Sequence, residues 1–90
     1  MLRINRQTDY AIRILLALAK EDEGTRLSSA HIQKEMLIPP AFMGRIVAKL
    51  AQEGLLKTHP GRDGGLQLSS PSSQITIKDV VEAFEGPILL

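Results

Sequence analysis
Residues 27–54 read LSSAHIQKEMLIPPAFMGRIVAKLAQEG, and the order of signals within them decides the fold. Ser28 is a favourable N-cap. Ala30, Ile32, Glu35 and Met36 follow it, so a short helix is expected within 27–37. Leu37-Ile38-Pro39-Pro40 ends that helix, because proline lacks a backbone donor and pushes the preceding residue out of the helical region. Proline is well placed in the first turn of a helix, so Pro40 opens a second helix expected over 40–53, closed by Gly54. Met43, Ile46, Val47 and Leu50 form its apolar stripe; Ala41, Phe42, Gly44, Arg45, Ala48 and Lys49 fall toward the other side. Two helices separated by about four residues have the spacing of a helix-turn-helix.

The flanking segments extend this motif. Upstream, TDYAIRILLALAK (8–20) places Tyr10, Ala11, Ile14, Leu15, Leu18 and Ala19 at helical spacing, with Thr8 expected as cap and Asp9 in the first turn. Leu27 is expected to make a short strand before the second helix. Downstream, LLKTHPGRDGGLQLSS (55–70) alternates Leu56 and Thr58 with Leu66 and Leu68 around a Gly-rich, charged tip, a β-hairpin with its wing over 57–68. Residues 69–75 are polar and turn-like. Thr76 and Asp79 form a capping-box variant for a last helix over 77–85, with Val80, Val81 and Phe84 inward and Gly86-Pro87 as the stop. The expected fold class is mainly α with a small β-hairpin: a winged helix-turn-helix.

The chain has 90 residues and 43% hydrophobic content, enough for one small domain with one core. It has no Cys, so these residues offer neither a disulfide nor a thiolate metal site. The longest apolar run, 14–19, is six residues, far short of a membrane span. Asp9 and Arg13 interrupt the N-terminal apolar stretch and no small-residue cleavage site follows, which argues against a signal peptide. No membrane partner and a cytoplasmic location are expected. Formal net charge is only +1, yet residues 38–68 hold Arg45, Lys49, Lys57 and Arg62 against Glu53 and Asp63, net +2. A near-neutral total can hide a basic face.

On charge alone this is the pattern of an ordinary solvated surface; the helix-turn-helix is what points to double-stranded DNA as partner. In a helix-turn-helix the second helix enters the major groove, and its N-terminal residues reach base edges. Pro40 and Ala41 open the helix, and Ala41, Gly44 and Ala48 leave room for close approach. Arg45 can read guanine with two hydrogen bonds, and Lys49 suits a phosphate. Phe42 is expected to be exposed, against a thymine methyl or a sugar edge. Arg62 at the hairpin tip suits a narrow minor groove, with His59 and Lys57 as weaker contacts. Read alone, helix 40–53 fits ordinary amphipathicity, and the hairpin glycines fit a simple chain reversal; the preceding helix, the Pro-Pro turn and the charged tip together favour DNA. His31 and His59 have no second ligand at metal spacing, residues 61–65 are not followed by GK[ST], and no Ser sits in a nucleophile elbow. No enzyme is expected.

Thr8-Asp9-Tyr10-Ala11-Ile12-Arg13, the helix-turn-helix, Gly64-Gly65-Leu66, Ile75-Thr76-Ile77-Lys78-Asp79-Val80 and Glu85-Gly86-Pro87 stand in an order that resembles the bacterial winged-helix regulators of the IscR/NsrR/CymR family. The resemblance covers nearly the whole chain. It implies a transcriptional repressor or activator that binds DNA as a homodimer, with helix 40–53 for recognition and 57–68 as the wing. It also implies a long C-terminal dimerisation helix and, in some members, an iron–sulfur cluster on three cysteines just beyond the Glu-Gly-Pro position. Both would lie after Leu90, so residues 1–90 are read as the DNA-binding domain of a longer repressor. Cofactors are expected to be none within these residues, with a cluster only if cysteines follow Leu90. Two departures stand out: Pro60 replaces an Arg usual at the wing, and Gly44 replaces a larger polar residue. The bare apolar ending Ile88-Leu89-Leu90 fits a chain that continues. It also supports the alternative, a winged helix used for protein contact.

Overall fold
The computed structural model describes residues 4–62 and 64–87. Its elements are α1 (Arg6–Ala19), α2 (Ser29–Glu35), α3 (Pro40–Gln52), β1 (Leu56–His59), β2 (Gly65–Leu68), a 3-10 turn (Ser72–Gln74) and α4 (Ile77–Glu85). This is a winged helix-turn-helix, as the sequence predicts. The apolar ending Ile88-Leu89-Leu90 lies outside the described residues.

Helix α1 begins earlier than its apolar periodicity suggests. Asn5 is the cap: its side-chain oxygen accepts from the Thr8 backbone N–H at 2.9 Å and from the Thr8 hydroxyl at 3.0 Å. Thr8, expected as the cap, instead lies inside the first turn and is fully buried. Asn5 satisfies both of its donors, which lets a polar side chain sit in the core without a desolvation penalty. Ala11, Ile14, Leu15 and Leu18 then face the other helices as one buried stripe.

Helix α2 is capped by Ser28, whose hydroxyl accepts from His31 N–H at 3.0 Å. Its outer face is tied to α1 through Glu35, which pairs with Lys20 and, at 2.8 Å, with His31. The turn after it is a Schellman closure. Met36 is the C-cap, Leu37 follows at φ 55°, and Ile38 N–H returns to the Gln33 carbonyl at 3.0 Å. Ile38 is buried, whereas Leu37 is 81% exposed. The left-handed turn thus drives one apolar residue into the core and leaves its neighbour in water. Pro39 and Pro40 then start α3 without a side-chain cap, and Met43, Ile46 and Leu50 bury its inner face.

Strands β1 and β2 pair antiparallel in the register Leu56↔Leu68 to His59↔Gly65. Leu27 adds the expected short strand as an isolated bridge to Leu66, with hydrogen bonds of 3.0 and 2.7 Å. Gly65 makes this approach possible. It sits at φ 111°, and a Cβ there would lie 2.9 Å from the Leu27 carbonyl oxygen. Helix α4 carries the predicted capping box between Thr76 and Asp79. Val80 and Val81 are buried and Phe84 is partly so. The two Thr76 hydrogen bonds hold the Asp79 carboxyl below its ordinary range, the backbone N–H contributing most.

Candidate nucleic-acid interface
The outward side of α3 exposes Ala41, Gly44, Arg45 and Ala48, with Pro40 at its start. A Cβ added at Gly44 would meet nothing within 4 Å, so this surface is open. Its inward side is anchored by Ile46 and Leu50, both fully buried. The stripe therefore holds the helix while three small side chains leave its outer backbone approachable. Arg45 reaches out among them. Among the described residues no carboxylate lies within ion-pair distance of it.

Phe42 and Lys49 depart from expectation. Phe42 is half-buried rather than exposed, because the N-terminal part of α1 packs beside it. Its ring centroid is 5.3 Å from that of Tyr10, at an interplanar angle of 57°. Lys49 is also half-buried, and its ammonium lies 5.7 Å from the centre of the Phe84 ring on α4. The Arg45 guanidinium stands 5.4 Å from the Phe42 ring centre. These three side chains follow the flank of α3 that faces α1 and α4.

The opposite flank faces the wing. Val47 shares an open groove of about 520 Å³ with Ser28, Ser29, His59, Arg62 and Gly64. The fold thus brings Arg62 and His59 beside α3 and the start of α2, but on the other side from Arg45 and Lys49. His59 is engaged within the hairpin. Its Nε2 lies 2.7 Å from the Gln67 Oε1, and the Gln67 amide donates to the Gly24 carbonyl at 2.9 Å. That second bond assigns the Gln67 oxygen as acceptor, so His59 Nε2 carries the proton. The wing is in this way tied to the loop between α1 and α2. Lys57 projects from the exposed side of β1.

Sequence reasoning did not find Tyr10 or Val47 as parts of this surface. Val47 read as core because it belongs to the apolar stripe. Tyr10 read as one more apolar position of α1. The available signal was the scarcity of aromatics: the chain has one Tyr and two Phe, and all three line one flank of α3.

Comparison with known proteins agrees with this architecture. The Rrf2 family, described as iron-dependent transcriptional regulators, matches residues 4–90. A protein of Mycobacterium tuberculosis named as an HTH-type transcriptional regulator is 32% identical over 87 residues, 97% of this chain and 54% of the relative. Protein aau3 of Rhizobium meliloti is 36% identical over 85 residues, 93% of this chain and 54% of the relative. The chain thus spans about half the length of the curated relatives it matches. The structure of CymR, the global cysteine regulator of B. subtilis, superposes with TM-score 0.89 at 31% identity, covering 98% of this chain and 68% of that one. IscR of T. potens shares the fold, with TM-score 0.84 at 21% identity over 99% of this chain and 65% of that one.

Proposed function
From the premise that this chain belongs to the Rrf2 family of transcriptional regulators, we propose that it binds double-stranded DNA sequence-specifically, as the DNA-binding part of a bacterial repressor. One observation carries this reading: a helix anchored by buried Ile46 and Leu50 presents small residues around an exposed Arg45 that has no carboxylate partner among the described residues, and the Arg62 tip stands across a groove from the Val47 flank of the same helix. Such a surface matches a recognition helix in the major groove with a wing on the adjacent backbone and minor groove. Pro40 and Ala41 set the depth of approach, and Phe42 borders the contact. Arg45 reads a base edge, and Lys49 lies nearest the phosphates on the α4 side. Arg62 enters the minor groove, with His59 beside it. The full-length protein acts as a cytoplasmic homodimer, which doubles this surface over two half-sites.

The family description includes iron, but these residues do not fit a cluster. They contain no Cys, and the described residues hold no group of three His, Cys, Asp or Glu that could bind a metal. A cluster would need cysteines that residues 1–90 do not contain.

The test is selection of a duplex from a randomised pool by the natural full-length protein, followed by titration of the selected duplex at two salt concentrations. Affinity should fall with salt, with a log–log slope of about −0.9 per phosphate neutralised. Arg45→Ala should cost about 1–3 kcal/mol and relax preference at one base pair, whereas Lys49→Ala should weaken all duplexes alike. Failure to select any duplex, or binding indifferent to salt, overturns the reading.

A further inference from the structure
The flank of α3 carries a feature that the simple picture of an exposed basic helix does not use. Four side chains from two helices form a continuous stack, two rings between two guanidinium groups. The Arg13 guanidinium lies 5.5 Å from the Tyr10 ring centre, Tyr10 lies 5.3 Å from Phe42, and Phe42 lies 5.4 Å from the Arg45 guanidinium. The inner end of this stack is fixed twice. Arg13 pairs with Asp9 at 2.9 Å and donates to the Met36 carbonyl at 3.3 Å, at the end of α2. The stack therefore connects the first turns of α1, the close of α2 and the first turns of α3. Its outer end is the one residue on the open face of α3 with a planar fork of donors.

We propose that Phe42, buttressed by Tyr10, is a positioning residue that pre-orders the Arg45 guanidinium and so sets base discrimination where Arg45 reads. The proposal deepens the DNA-binding reading and rests on it. An arginine on an open surface samples many rotamers, and fixing one of them on binding is an entropic cost of recognition. A ring face beneath the guanidinium favours one orientation through cation–π attraction and stacking, yet it uses none of the N–H donors. A carboxylate partner would hold Arg45 as well, but it would occupy the donors and oppose the approach of DNA. Among the described residues, Arg45 has the ring and no such carboxylate. Phe42 itself is held by the tilted Tyr10 ring, so the platform does not depend on its own rotamer freedom. Phe42 thus acts on the bases through Arg45 rather than by touching a thymine methyl.

The experiment is a double-mutant cycle in the full-length protein, read as the affinity ratio between a duplex selected from a randomised pool and a scrambled duplex of the same composition. Phe42→Leu keeps an apolar contact on Tyr10 but removes the ring. It should lower the ratio about two- to fivefold, the range of an exposed cation–π contact. In the Arg45→Ala background the same change should leave the ratio unaltered, and Phe42→Tyr in the wild-type background should preserve it. A merely structural role for Phe42 would lower the ratio in both backgrounds. A second readout needs no DNA: the Arg45 side-chain protons should show an upfield ring-current shift in the free protein, lost in Phe42→Leu. Tyr10→Leu should reproduce the drop in ratio with Arg45 present and not without it. If the wild type selects a duplex but the Phe42→Leu ratio is unchanged, or falls equally in both backgrounds, the positioning role is refuted while DNA binding stands. If the wild type selects no duplex, the DNA-binding reading fails and the positioning role with it.

Discussion

Replacing Gly65 by Ala tests how the wing is attached to the domain. Gly65 and Gly61 both have left-handed backbone, at φ 111° and 96°. An L side chain at either site is strained by about 1–2 kcal/mol. The two differ in their surroundings. A Cβ at Gly61 meets nothing within 4 Å, whereas one at Gly65 meets the Leu27 carbonyl oxygen at 2.9 Å and its carbon at 3.2 Å. These are backbone atoms and cannot rotate aside, so the Leu27–Leu66 bridge must open. Its two hydrogen bonds, at 3.0 and 2.7 Å, contribute about 1 kcal/mol each. Gly65→Ala should therefore destabilise by about 3–4 kcal/mol and Gly61→Ala by about 1–2 kcal/mol. The larger loss is a substantial share of the total for a domain of this size, about 5–13 kcal/mol. Urea denaturation of both variants measures the difference, provided the m-values stay equal. Amide exchange at Leu66 should rise in Gly65→Ala alone, and DNA affinity should fall further in that variant because the Arg62 tip loses its anchor. Equal losses in the two variants, within about 0.5 kcal/mol, would refute the argument that backbone contact, rather than dihedral strain, makes Gly65 necessary.

Two further outcomes follow from local geometry. Leu37 is 81% exposed, so a surface substitution there would ordinarily change stability by about 0.5 kcal/mol or less. Its φ of 55° predicts otherwise: Leu37→Val should cost about 1 kcal/mol or more, since β-branching is poorly tolerated there, and a neutral result by thermal unfolding would count against the Schellman turn. In α4, the capping box holds the Asp79 carboxyl below its ordinary value of 3.8, chiefly through the Thr76 backbone hydrogen bond. A lowered folded-state value means that this stabilisation is complete above the ordinary Asp range and is lost as pH falls through the lowered value. Stability measured against pH should thus have a steeper acid limb in the wild type than in Asp79→Asn, and coincident limbs would contradict the assignment.

Much of this protein is written locally. Ser28, the Pro39-Pro40 pair, Gly54 and the Thr76/Asp79 capping box act within a turn of where they stand, so they mark element boundaries in the linear chain. The apolar periods of α1 and α3 identify Ile14, Ile46 and Leu50 as core in the same way. Even Leu27, a single bridging residue, could be anticipated from its place before the cap. The start of α1 is not legible in this way, because Thr8 and Asn5 are both good caps and the burial of Thr8 chooses between them.

The order of elements, and with it the winged helix-turn-helix and the basic character of α3, follows from short-range propensity and periodicity alone. The arrangement of the contact surface does not. Helical spacing assigns Phe42, Arg45 and Lys49 to the outward half of α3, but it carries no information on what packs beside that half. Tyr10 comes from α1 and Phe84 from α4, far from α3 in sequence, and their rings pack against Phe42 and Lys49, so that these two, with Arg45 over Phe42, follow one flank. The wing reaches the opposite flank only because the Leu27–Leu66 bridge and the Gln67–Gly24 bond set its angle. Those contacts depend on how the helices pack around a shared core, a non-local outcome of burying apolar area, and so they became visible only in the folded chain.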